Sequence, residues 1–112
     1  MQPLLELFRQ HLESERRVSA HTLRAYLADL RELFGHVHAL RGDADEARPV
    51  GVAQLDTIAC RSYLASLHGK NDPATVGRKL SSMKTFFRML VRRKMLAASP
   101  VAGLRGAPGG RR

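Results

Sequence analysis

The 112-residue sequence has a single cysteine and no tryptophan, and aromatics make up only 5% of it. A lone Cys60 excludes an internal disulfide and a zinc site built on paired cysteines. No run of about 18 apolar residues occurs, which excludes a membrane-spanning helix. The opening residues, MQPLLELFRQHLESERR, carry charge throughout and lack the pattern of a secretory leader. Strand signals are missing as well, with no clear alternation and no Asn-Gly hairpin turn. The glycine-rich phosphate loops and the GxSxG nucleophile turn are absent. Of the five histidines, only His36 and His38 are close in sequence, and a separation of two does not put them on one helical face. They read as exposed turn residues, because zinc needs three or four converging ligands. Cys60, Tyr26 and Tyr63 fall within helical stretches and read as packing residues. The expectation is a cytoplasmic helical protein with no metal, no cofactor, no membrane partner and no catalytic residues of its own.

Acidic residues are scarce in one part of the chain only. Residues 1–69 hold eight basic and nine acidic side chains, a net of −1. Residues 70–112 hold eleven basic residues and a single acid, Asp72, a net of +10. Solubility alone does not demand that separation. A polyanion partner explains it, because Lys and Arg on a phosphate backbone release condensed counterions.

Apolar spacing predicts four helices. The first runs from about Pro3 to Arg16, with Leu4, Leu5, Phe8 and Leu12 as its stripe. The second runs from about Ala20 to Phe34, N-capped by Ser19 and ended by Gly35. Residues 41–51 are polar, contain Gly and Pro, and read as a loop. The third covers about Thr57 to Leu67, with Ile58, Leu64 and Leu67 inward. The fourth begins at the cap Asp72 and Pro73 and carries Val76, Leu80, Met83, Phe87, Leu90 and Val91. Ser99-Pro100 closes that region. The expected fold class is all-α: a small helical bundle over residues 1–101, with 102–112 as a flexible linker.

The outward faces of the second and fourth helices carry the functional expectation. Opposite Val76 and Leu80 lie Thr75, Arg78, Ser81, Ser82, Thr85, Met89 and Arg92, flanked by Lys79 and Lys84. An ordinary solvated helix mixes Glu with Lys at i, i+4. A face of hydroxyls and cations with no acid after Asp72 suits phosphates and base edges. On the second helix, Ser19, His21 and Thr22 offer donors at a helix N-terminus, Arg24 flanks them, and Ala25 and Ala28 permit close approach.

Two segments then resemble a known family. Ser19 to Leu30 fits the S-x-x-T-x-x-x-Y-x-x-D-L signature of tyrosine recombinases through Ser19, Thr22, Tyr26, Asp29 and Leu30. Thr75 to Phe87, TVGRKLSSMKTFF, is similar to their T-I-x-R-K-L-S-A-L-R-x-F-F stretch. Ser99-Pro100 stands where many members have Asn-Pro before an interdomain linker. The whole, about residues 4–105, resembles the N-terminal core-binding (SAM-like) domain of a Xer-type recombinase. The resemblance implies an orthogonal bundle of four to five helices, forming the helical half of a clamp around double-stranded DNA, with the second and fourth helices in the major groove. It implies a homologous recombinase subunit as partner on DNA, in chromosome dimer resolution or DNA integration. The catalytic half, absent from this chain, would cut one strand through a tyrosine–phosphate bond, and Tyr26 matches the signature tyrosine rather than that nucleophile. The DNA-binding residues expected on this reading are Ser19, His21, Thr22, Arg24, Ala25, Thr75, Arg78, Lys79, Ser82, Lys84 and Thr85. A stand-alone helical DNA-binding regulator and a protein–protein adaptor are the competing readings of the same charge pattern.

Overall fold

Each expected helix owes its boundaries to a local device visible in the structure, a computed structural model that describes residues 3–41 and 49–104. The first, α1 (Pro3–His11), continues as one π-helical turn over Leu12–Arg16. Leu4, Phe8 and Leu12 recur every fourth residue, and all three are buried. Arg17 stops the turn in the left-handed region, at φ 52. Ser19 then caps α2 (Ala20–Arg41), its Oγ accepting the Thr22 amide at 3.1 Å.

Gly35 does not end α2, which runs six residues further. The residue is exposed, and beyond it Val37 still buries its side chain against the core. A glycine costs a helix only about 1 kcal/mol, less than that burial returns. The extension carries His36 and His38 onto the helix rather than a turn. His36 is half-buried, its Nε2 2.9 Å from Ser62 Oγ and its ring edge-on to Tyr63. Residues 42–48 of the expected loop lie outside the described residues, as does the tail from Arg105.

A 3-10 turn over Val52–Gln54 leads to α3 (Thr57–Leu67), capped by Asp56 through the Ala59 amide at 2.8 Å. Cys60, Tyr63, Leu64 and Leu67 set its buried side. Ile58 falls out of phase with that set and is 77% exposed, correcting its expected inward placement. Asp72 caps α4 (Pro73–Arg92) through the Thr75 amide at 2.9 Å, with Pro73 in the first turn. The helix stops at Arg92, well before Ser99-Pro100. Lys94, at φ 63, turns the chain, and the amides of Lys94 and Met95 return to the carbonyls of Val91 and Leu90, both at 2.9 Å.

The described residues form no strand, only four helices around one core. Phe86 sits at its centre, edge-on to Phe8 of α1 at 5.2 Å, to Phe34 of α2 at 5.9 Å and to its neighbour Phe87. Helix α4 packs on α1, α2 and α3 alike. Cys60 is fully buried, and desolvation pushes its thiol up to about 12, so it is a small core side chain and not a nucleophile.

Candidate nucleic-acid interface

Because α4 has neighbours on three sides, it buries far more than one stripe. Beyond its aliphatic and aromatic positions, Lys79, Ser82, Thr85 and Met89 are buried. The outward placement expected for Ser82, Thr85 and Met89 is therefore corrected. Periodicity locates one apolar face, whereas the side of α4 turned to α2 is polar and is matched by polar partners.

Those partners centre on Asp29 of α2, which is only 3% exposed. Its Oδ2 accepts from Arg78 Nη1 at 2.6 Å and from Ser82 Oγ at 2.7 Å, while its Oδ1 lies 3.4 Å from Lys79 Nζ. Lys79 also donates to Glu32 Oε1 at 3.0 Å, and the Tyr63 hydroxyl donates to Glu32 Oε2 at 3.0 Å. Burial and the Glu32 carboxylate hold the Tyr63 phenol protonated well above its ordinary range. A buried carboxylate is tolerable only when it is paired and hydrogen-bonded, and here two cations and a hydroxyl converge on it. The cluster pins α2 to α4 across the seam between them.

Among the expected site residues, the structure brings Arg78, Lys79 and Ser82 together at this seam. Lys79 and Ser82 have their polar atoms committed inside the protein. Arg78 is different: its side chain remains 51% exposed while one edge of the guanidinium holds Asp29. Thr75 lies one turn before it, half-buried beside the Asp72 cap. The Thr75 contacts hold the Asp72 carboxyl below the usual range. Lys84 is exposed. Thr85 is buried away from the seam, in a cleft against the π turn.

On α2, Ser19, His21 and Arg24 are exposed, and Thr22 and Ala25 are half-buried. The Ser19 and Thr22 hydroxyls are engaged with each other at 3.0 Å. Arg24, Ala28 and Arg31 continue the exposed stripe at spacings of four and three. On α4 the corresponding stripe is Arg78, Ser81, Lys84, Arg88 and Arg92. Among the described residues, the side chains of Arg24, Arg31, Lys84, Arg88 and Arg92 make no hydrogen bond or ion pair.

Arg31 and Arg88 were not singled out by sequence reasoning. The signal for Arg88 was its place four residues after Lys84 and four before Arg92. The role of Asp29 was also missed. Its signal was an acid on an otherwise apolar part of α2, in a chain whose fourth helix has adjacent cations and no acid of its own. Among the described residues, no cluster of His, Cys, Asp and Glu could hold a metal ion.

Two basic stripes, unpaired apart from Arg78, lie on helices locked together by a buried ionic seam, an arrangement that can hold a polyanion. Comparison with known proteins gives the family. The chain is 41% identical over 103 residues to the tyrosine recombinase XerC of Pelobacter propionicus, an alignment covering 89% of this chain and 32% of that protein. It is 39% identical over 100 residues to the tyrosine recombinase XerC of Myxococcus xanthus, covering 89% and 31%. The tyrosine recombinase XerC of Azotobacter vinelandii is 35% identical over 113 residues, covering 100% and 36%. The chain thus spans about a third of the length of the curated relatives it matches. No solved structure matches it significantly. The family model for the phage integrase N-terminal SAM-like domain matches residues 5–94, and the chain belongs to that family, as a Xer-type N-terminal domain.

Proposed function

We propose that this chain is the DNA-binding portion of a site-specific tyrosine recombinase, holding double-stranded DNA with α2 and α4 while a separate domain performs strand exchange. The observation that carries the proposal is the unpaired cationic stripe on α4 beside a half-exposed Arg78. A solvated helix with no partner would pair such residues with acids at i, i+4. Here Asp29 and Glu32 are committed to the seam, and Glu15 is committed to His11 and Arg93. Lys84 takes backbone phosphate, Arg78 offers its free edge to phosphate or guanine, and His21 and Arg24 line the second helix. Ser19, Thr22, Ala25 and Thr75 shape the approach. Lys79 and Ser82 act from behind, by fixing α2 to α4 through Asp29 and Glu32, and Thr85 lies apart from them in the cleft beside the π turn.

The finer reading extends this proposal. A domain beyond about residue 101 supplies the cleaving tyrosine, residues 102–112 lead toward it, and a second recombinase subunit joins on the DNA. The work is cytoplasmic, in chromosome dimer resolution or DNA integration. The chain alone binds duplex without cutting it.

The test is the salt dependence of binding to a recombination-site duplex. With about five phosphates neutralised, log K falls against log salt concentration with a slope of about −4.5. A slope near zero, or no binding at low salt, would sink the proposal.

A further inference from the structure

A second feature lies away from the seam. Between the π turn that ends α1 and the C-terminal half of α4 is a cleft of about 170 Å³. We propose that this cleft is a phosphate site, and that it seats one phosphodiester of the bound duplex. The second clause rests on the function proposed above; the first does not.

Its walls are chemically one-sided. Arg16, Arg88 and Arg92 line it, and none has a partner among the described residues. Glu15 is the one carboxylate in the lining, and both its oxygens are occupied. Oε1 is 3.1 Å from His11 Nδ1, and Oε2 accepts from Arg93 Nη2 at 3.2 Å. Three unpaired guanidiniums thus outweigh one neutralised carboxylate.

Two buried polar groups complete the site. Thr85 is 9% exposed, and its hydroxyl makes no hydrogen bond among the described residues. His11 is 5% exposed, with Nδ1 taken by Glu15 and Nε2 unpartnered. Buried polar atoms are nearly always satisfied, and these two have no protein partner, so both are available to a group bound in the cleft. A tetrahedral oxyanion offers several acceptors to guanidinium forks and a hydroxyl at once. The π turn contributes one wall: it follows α1 and ends in Arg16, which lines the cleft opposite α4, and such turns recur at functional positions. Arg88 and Arg92 also belong to the exposed stripe of α4, so an anion held here lies along the track of a bound backbone.

The experiment has two arms. In the first, inorganic phosphate and then dimethyl phosphate are titrated into isotope-labelled protein, and NMR follows the Thr85 amide, the His11 ring and the arginine Nε signals. Saturable shifts confined to the cleft are expected, weakened roughly tenfold or more in an Arg88→Gln/Arg92→Gln double variant. They should persist in Arg61→Gln, an exposed change on α3. Diffuse shifts, or equal shifts in both variants, overturn the site. In the second arm, duplex binding is measured against salt. The double variant should lose about one unit of slope. An unchanged slope with intact phosphate shifts overturns the backbone source and leaves a site for free phosphate. Failure of the unaltered protein to bind duplex, with phosphate shifts retained, removes the DNA-binding reading and not the site.

Discussion

Asp29 shows how a single buried charge can organise a domain. It accepts from Arg78 and Ser82, lies beside Lys79, and is nearly sealed from solvent. The attraction among these groups repays a large desolvation cost only while the set is complete. Removing Asp29 leaves Lys79 charged and nearly dry, whereas Arg78 can turn to solvent. Asp29→Ala is therefore expected to cost roughly 3–5 kcal/mol of stability, measured by urea unfolding, because Lys79 keeps only Glu32. Asp29→Asn should cost less, since an amide oxygen still accepts from Ser82. Arg78 is half-exposed, and its pair contributes less to stability than its short distance suggests.

At the scale of the element, α4 sets the limits of sequence reading. Its start was legible, since Asp72 and Pro73 are local devices that work the same in any context. So were the four helices and the capping role of Ser19. What spacing could not supply was the number of neighbours each helix would meet. A helix with one apolar stripe looks one-sided on paper, and burial of Lys79, Ser82 and Thr85 appears only once α2 and α1 are in place. Gly35 misled for a related reason: a stop signal in sequence is only a modest penalty once Val37 has a core to enter. Ile58 was assigned inward on hydrophobicity, yet the phase of Cys60, Tyr63, Leu64 and Leu67 decides the matter.

Gly77 tests α4 directly. A Cβ added there meets nothing within 4 Å, so Gly77→Ala should stabilise the free domain by roughly 0.5–1 kcal/mol. If the bare backbone at this position is where DNA comes close, the same change weakens duplex affinity. Thermal unfolding and a binding titration on one sample separate the two. Equal affinity with raised stability would show that Gly77 has no part in binding.

At the scale of the molecule, the charge pattern of the sequence overstates the charge that partners meet. Lys79 contributes to the basic half of the chain but spends its charge internally on Asp29 and Glu32. The stripe that remains is narrower and runs along one helix edge, through Lys84, Arg88 and Arg92. The candidate interface was thus legible in kind and in its helices, but not residue by residue. Pairing between helices depends on contacts some fifty positions apart, and no periodicity reports those.

The ionic knot at Asp29 has one more consequence. Two rods fastened at their crossing meet a duplex with a preset opening, like calipers locked before use. Such a tool does not conform to the object it measures; the object conforms to it. Duplexes with easily bent pyrimidine–purine steps at positions no side chain touches should then be held more tightly than stiff ones of equal contact sequence, a preference that competition binding would register.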